Sequence, residues 1–231
     1  MDKLPLREAF LNREDRFRLL EAGFAAAGWT GGTLRLLETG CADGAAARHI
    51  ARKNGFAVTA LDADDGLFPV ERTDEKVCLV HADVCHMPFD SGSFDGVFSE
   101  AAFSVLPDKE AAVKEYARVL KKNGRALLDD FALKSGPAPA AESPWGIPCL
   151  DGVQTMDTYR RLFSRQGFRC VYSRELFPEF IRMAIGLAKV YGVSPSQIGR
   201  TIVSAFGTGG DFDSFFSSTR MTYCQMVFEK E

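Results

Sequence analysis

No apolar stretch in the chain approaches the roughly 20 residues that cross a bilayer, so a membrane-spanning protein is not expected. The opening residues, Met1-Asp2-Lys3-Leu4-Pro5-Leu6-Arg7-Glu8, carry acids early and lack the apolar core of an export signal. The expected compartment is the cytoplasm. No Lys/Arg run exceeds the Lys121-Lys122 pair, and the formal net charge is -3. Binding to nucleic-acid polymers draws on clustered bases that neutralise phosphates, so no nucleic-acid partner is expected and no membrane partner either. The six cysteines (Cys41, Cys78, Cys85, Cys149, Cys170, Cys224) form no CxxC pair, and in a reducing compartment they read as small buried hydrophobes or free thiols. No metal site is expected, and no internal repeat or low-complexity tract is present.

With 46% hydrophobic and 26% charged residues, the composition is that of a globular chain with one sizeable core. Residues 1–231 read as a single domain. Its first 30 residues, 1–30, form a helical segment with Phe10, Phe17, Leu20 and Phe24 at helical spacing before Gly28. Strand candidates then alternate with helices. Leu34–Glu38, Phe56–Leu61, Val77–Val80, Gly96–Phe98 and Arg125–Phe131 read as strands; Ala45–Lys53 and a segment capped by Asp108 and ended by Asn123-Gly124 read as helices. This order implies an α/β, doubly wound parallel sheet. A loop with four prolines between Lys134 and Pro148 follows, within residues 132–156. The C-terminal part, 157–231, reads as a helix at Asp157–Gln166, a strand to about Ser173, helices at Phe180–Val190 and Ile198–Phe206, and a last strand at Thr222–Phe228.

Chemistry concentrates at the first strand-to-helix turn, Leu36-Leu37-Glu38-Thr39-Gly40-Cys41-Ala42-Asp43-Gly44. A glycine there lets the backbone approach a ligand, and ligands of open α/β sheets bind outside the carboxyl ends of the strands. An acid before the glycines suits a cationic group better than a pyrophosphate. A dinucleotide fingerprint needs G-x-G-x-x-G; here Ala42 holds the second glycine position and Gly44 comes one place early, which argues against NAD. A packing glycine in a tight turn is the bland alternative. Asp62, in Leu61-Asp62-Ala63-Asp64, stands about 20 residues beyond the turn, where a carboxylate accepts ribose hydroxyls; Asp64 and Asp65 compete with it. Asp83 can accept from an adenine amino group and the Val84 N–H can donate to the ring.

These three blocks, followed by Leu106-Pro107-Asp108 and Ala117-Arg118-Val119-Leu120-Lys121-Lys122-Asn123-Gly124-Arg125, resemble the class I S-adenosylmethionine (SAM)-dependent methyltransferases. The similarity is to the small-molecule type that includes the ubiquinone and menaquinone-pathway enzymes. It covers residues 34–131, the SAM-binding core, with an echo in Tyr159–Phe168. It implies a Rossmann-like seven-stranded sheet of order 3-2-1-4-5-7-6, the last strand antiparallel. It also implies SAM as cofactor, S-adenosylhomocysteine as product, and a small-molecule methyl acceptor. By the same resemblance Glu38 lies near the methionine part, Gly40 against the cofactor, Asp62 at the ribose, and Asp83 and Val84 at the adenine, with Cys41, Gly44 and Ala63 as further cofactor-binding positions. Ser99 and Glu100 border the methionine end and the acceptor. Glu38 stands where aspartate is commoner and Ala42 where glycine is usual.

An insertion at about residues 176–220, with the N-terminal helix and the loop around Trp145, is expected to form a helical cap over the acceptor pocket. Candidate bases are Glu100, His86 and His81, each with an ordinary structural reading; Phe177, Phe180, Phe206, Phe212, Phe215 and Phe216 offer an apolar acceptor wall or plain packing. Cys85 and Cys149 raise a metalloid (arsenite-type) acceptor, which needs a third thiolate. Pro148-Cys149 lies on the wrong side of the fifth strand for a cytosine-C5 methyltransferase, and N-P-P-Y is absent. The alternative from another class is a SAM-binding regulatory or degenerate domain without catalysis.

Overall fold

The computed structural model describes residues 16–69, 74–134, 152–206 and 221–231. Among these, a seven-stranded sheet runs in the order β3-β2-β1-β4-β5-β7-β6. Its strands are β1 (Arg35–Thr39), β2 (Ala57–Asp62), β3 (Val77–His81), β4 (Phe94–Glu100), β5 (Leu120–Leu133), β6 (Phe168–Glu175) and β7 (Met221–Lys230). β1 to β5 pair in parallel, and β7 is antiparallel to both β5 and β6. Order and strand sense are those that the family resemblance implies.

The helices are α1 (Arg16–Ala26), α2 (Ala45–Asn54), α3 (Lys109–Val119), α4 (Met156–Arg165), α5 (Phe177–Tyr191) and α6 (Ile198–Phe206). Successive side chains of a strand point to opposite faces, which divides the core in two. On one face Leu36, Val58, Phe98, Leu127 and Val227 pack against Leu20 and Phe24 of α1 and Ile50 of α2. On the other, Leu37, Val97, Leu128 and Met226 pack against Val113 and Tyr116 of α3 and Tyr159 and Phe163 of α4. α5 continues the first face, with Met183 beside Leu19 and Tyr223. None of the helices is long and apolar enough to cross a membrane among the described residues.

Local chemistry sets the boundaries. Asp108 caps α3 by accepting from Ala111 N at 2.8 Å, and Thr155 caps α4 through Thr158 N. Asp95 accepts from Arg35 N at 2.9 Å and pairs with Lys121 at 2.6 Å, so it fastens β4 to its neighbours. The boundary that departs most from the sequence reading is the one between α3 and β5. α3 ends at Val119, not at Asn123-Gly124, and β5 starts at Leu120, opposite Phe94. Val119 and Leu120 are both fully buried, so the chain stays against the sheet, and Asn123 takes the left-handed turn (φ 61°) inside the strand. The register shift between Phe94 and Gly96 absorbs the extra residues. The Trp145 loop and Cys149, and Phe212, Phe215 and Phe216, lie outside the described residues.

Candidate functional site

The turn after β1 is built by its own backbone. Gly40 has φ 72°, and a Cβ added there would meet the Ala102 Cβ at 2.3 Å, so only glycine lets the β1 and β4 loops touch. The N–H groups of Gly40 and Cys41 both donate to Leu61 O, at 2.8 and 3.1 Å, tying the turn to the end of β2. Ala42 adopts the left-handed conformation (φ 52°) without being glycine, and its methyl is buried. Its N–H donates to Asp62 Oδ2 at 2.7 Å, while Asp62 Oδ1 accepts from Asp64 N at 3.0 Å. The bonds that Asp62 accepts lock the turn at the carboxyl end of the sheet, which is why an alanine holds a shape that sequence reasoning reserves for glycine. Gly44 enters α2 with no side-chain cap on the helix.

Beside the turn, one face of the sheet carries polar groups where apolar ones would ordinarily sit. Glu38, Glu100, Asp129 and Gln225 all lie on the face covered by α1, across β1, β4, β5 and β7. Asp129 accepts from Gln225 Nε2 at 3.3 Å, and Gln225 also donates to Leu19 O at 2.9 Å. Arg16 of α1 is buried, 3.6 Å from the Glu100 carboxylate and 3.5 Å from Asp43. Glu38 is 2% exposed, and its Oε2 has no hydrogen-bond partner among the described residues. Burial, with the Glu100 charge behind it, pushes the Glu38 carboxyl up to about 8; Arg16 and the Ala47 N–H offset part of that.

Neighbouring positions on β4 and β5 point the other way. Ser99 is buried on the α3 face beside the Tyr116 hydroxyl, which pairs with Thr39 Oγ1 at 2.6 Å. Ser99 and Glu100 therefore do not share one wall. Asp130, also on the α3 face, accepts from Ser104 N at 2.8 Å and Phe131 N at 2.6 Å, and burial pushes its carboxyl up to about 6. Lys109 Nζ donates to Ser104 O and Leu106 O at 2.9 and 2.8 Å. Together these bonds pin the segment between β4 and α3 that faces Gly40.

At the β3 edge, Val84 is buried and Asp83 exposed. Asp83 accepts from Cys85 N at 2.8 Å, which holds its carboxyl low, and its other oxygen is 3.3 Å from His86 Nδ1. His81 bridges Ala63 O and Asp65 at 3.0 and 3.2 Å. Both imidazoles are exposed. Burial pushes the Cys85 thiol up to about 11, and no group of three His, Cys, Asp or Glu among the described residues could hold a metal ion.

The structure thus brings Glu38, Glu100, Gly40, Cys41 and Asp62 together, sets Asp83 and Val84 at the far edge, and turns Ser99 away. The sequence reading missed Arg16, Asp43 and the Asp129–Gln225 pair. Arg16 looks like any charge on an amphipathic helix; only its burial singles it out. The residues present fit a ligand carrying positive charge: one buried Glu38 oxygen has no hydrogen-bond partner among the described residues, and the N–H groups of Gly40, Cys41 and Ala42 are taken up by Leu61 and Asp62 rather than open to a phosphate.

Residues 37–128 match the family model described as "Methyltransferase domain". The 27-O-demethylrifamycin SV methyltransferase of Amycolatopsis mediterranei is 32% identical over 45% of this chain, which spans 41% of that protein. An uncharacterised protein of Haemophilus influenzae is 30% identical over 70% of this chain and 71% of its own length. A solved structure of a putative sarcosine dimethylglycine methyltransferase from Galdieria sulphuraria superposes with a TM-score of 0.71 at 18% identity, covering 98% of this chain and 86% of that one. Sheet order, glycine turn, strand-end acids and these similarities converge: residues 37–128 are a methyltransferase domain, and the chain has the fold of the class I SAM-dependent methyltransferases.

Proposed function

We propose that this protein is an enzyme that transfers a methyl group from SAM to a small-molecule acceptor. The observation that carries the reading is the buried Glu38 carboxyl, one oxygen of which has no partner among the described residues, next to the Gly40 turn and Asp62. SAM, when bound, supplies a methyl group on an already activated sulfonium. This leaves the chain to bind, orient and exclude water. In this reading Glu38, Gly40, Cys41, Gly44 and Glu100 hold the methionine part, Asp62 and Ala63 the ribose, and Asp83 and Val84 the adenine. Ser99 supports that wall from behind, through Tyr116.

The acceptor enters over the carboxyl ends of β4 and β5. α1 and α5 contribute to the cap there, and Phe131, Phe180 and Tyr223 form an aromatic group with ring centroids 5.3 and 6.3 Å apart around Phe131. This supports an apolar or aromatic acceptor. The balanced charge and short apolar runs support action in the cytoplasm, on neither nucleic acid nor membrane.

The test is calorimetric titration with SAM and S-adenosylhomocysteine, with NAD as control. Both adenosyl compounds should bind, NAD should not, and Asp62→Ala should abolish binding. Absence of SAM binding would sink the reading. A second reading, a SAM-binding domain without catalysis, is favoured by one observation: the imidazoles of His81 and His86 are exposed and held by Asp65 and Asp83. Methyl transfer to any member of an acceptor panel eliminates it.

A further inference from the structure

Glu38 sits in an environment that rejects a bare negative charge. From β4 it faces Glu100; from the turn, Asp43 and Cys41; from α1, Arg16; from α2, the Ala47 backbone N–H. Two of these groups are carboxylates and one is a guanidinium. That guanidinium stands 3.5 and 3.6 Å from the other acids, longer than the roughly 2.8 Å of a charge-assisted hydrogen bond. One carboxyl oxygen of Glu38 has no partner among the described residues. An ionised carboxylate without compensation costs several kcal/mol when buried, so a proton stays on this acid until another positive charge arrives.

We propose that cofactor binding exchanges that proton for the positive charge of the ligand's methionine end, making the Glu38 seat, with Arg16 and Glu100 at its rim, a proton-releasing binding site. The inference rests on the cofactor reading above. As the cation arrives, the carboxyl O–H bond breaks, its electron pair stays on the carboxylate oxygen, and the proton passes to the buffer. The charge of the seat with its ligand is then the same as before release, less the departing proton. Burial and the Glu100 charge, which hold the carboxyl protonated near neutrality, are in accord with this exchange. Below about pH 7 an α-ammonium group largely keeps its own proton, so the released proton has a protein source.

The experiment is calorimetric titration of the full chain with SAM, between about pH 6 and pH 7, in two buffers of different ionisation enthalpy. The expected result is release of close to one proton per SAM bound, with affinity rising by nearly tenfold per pH unit. Glu38→Gln should bind SAM with no proton release. SAM binding to the wild type at constant affinity with no release overturns the proposal, as does a Gln variant that releases the same proton. Should that variant fail to fold, the wild-type proton count decides alone. Absence of SAM binding at every pH overturns the cofactor reading and this one with it, so the two failures look different.

Discussion

Replacing Gly40 by alanine tests the turn on which the site is built. The residue has φ 72°, so any L side chain there carries a left-handed backbone cost of about 1–2 kcal/mol. The added methyl would also stand 2.3 Å from the Ala102 Cβ, well inside the 3.5–4.0 Å of a carbon contact. Relief requires the segment after β4 to move by more than an ångström. That segment is held by Ala101 N to Asp129 O at 2.8 Å and Ser104 N to the buried Asp130 carboxyl at 2.8 Å. Overpacking against such a support costs about 1–3 kcal/mol more. Gly92 supplies the control: its φ is 68° but nothing lies within 4 Å of an added Cβ, so Gly92→Ala isolates the backbone cost. In urea unfolding, Gly92→Ala should lose about 1 kcal/mol and Gly40→Ala about 2–5 kcal/mol, with SAM affinity lost only in the latter. Equal destabilisation of the two would refute the claim that contact between the two loops, rather than backbone conformation alone, requires glycine at 40.

Stability should carry the Glu38 signature in the absence of cofactor. A carboxyl raised from 4.5 to about 8 contributes fully below the lower value, and the contribution is lost as pH rises through the upper one. Between about pH 5.5 and pH 8 the unfolding free energy of the wild type relative to Glu38→Gln should therefore fall by about 2–4 kcal/mol; a difference independent of pH in urea melts would count against it. Asp62→Asn keeps an oxygen for the Ala42 N–H but removes the charge, so SAM affinity should drop about ten- to a hundredfold with little loss of stability. An unchanged calorimetric affinity would remove Asp62 from the binding site. Tyr116→Phe leaves the buried Thr39 hydroxyl without its 2.6 Å partner, at a cost of about 1–2 kcal/mol in thermal or urea unfolding, while SAM affinity should hold. Weakened SAM binding there would show that the α3 face reaches the cofactor.

Arg16 and Ser99 mark where reading a sequence stops and folding begins. Arg16 and Arg18 are the same residue type two positions apart on α1, yet Arg16 is buried against Glu100 while Arg18 reaches Glu179 on α5 at the surface. Ser99 and Glu100 are adjacent and belong to one motif, but the pleat sends them to opposite faces. The same pleat splits Asp129 from Asp130, one bonded to Gln225 and the other to the segment after β4. Ala42 shows the converse. Its left-handed turn has no glycine to announce it, because the bond to Asp62 across the strand end holds the shape.

By itself the sequence determined what depends on local order. Period-two apolar runs alternating with helical ones set the α/β class; the Gly40 turn and the acids at the ends of β1 and β2 pointed to the edge proposed above for the cofactor. The strand, helix and turn signals rest on backbone conformation and residue type at neighbouring positions, which short-range sterics decide. Tertiary structure alone decided which charges are buried together. Arg16, Glu38 and Glu100 are far apart in the chain and meet because α1 closes over one face of the sheet. Their energetics depend on removal from water and on mutual distance, and neither quantity exists before the chain has folded.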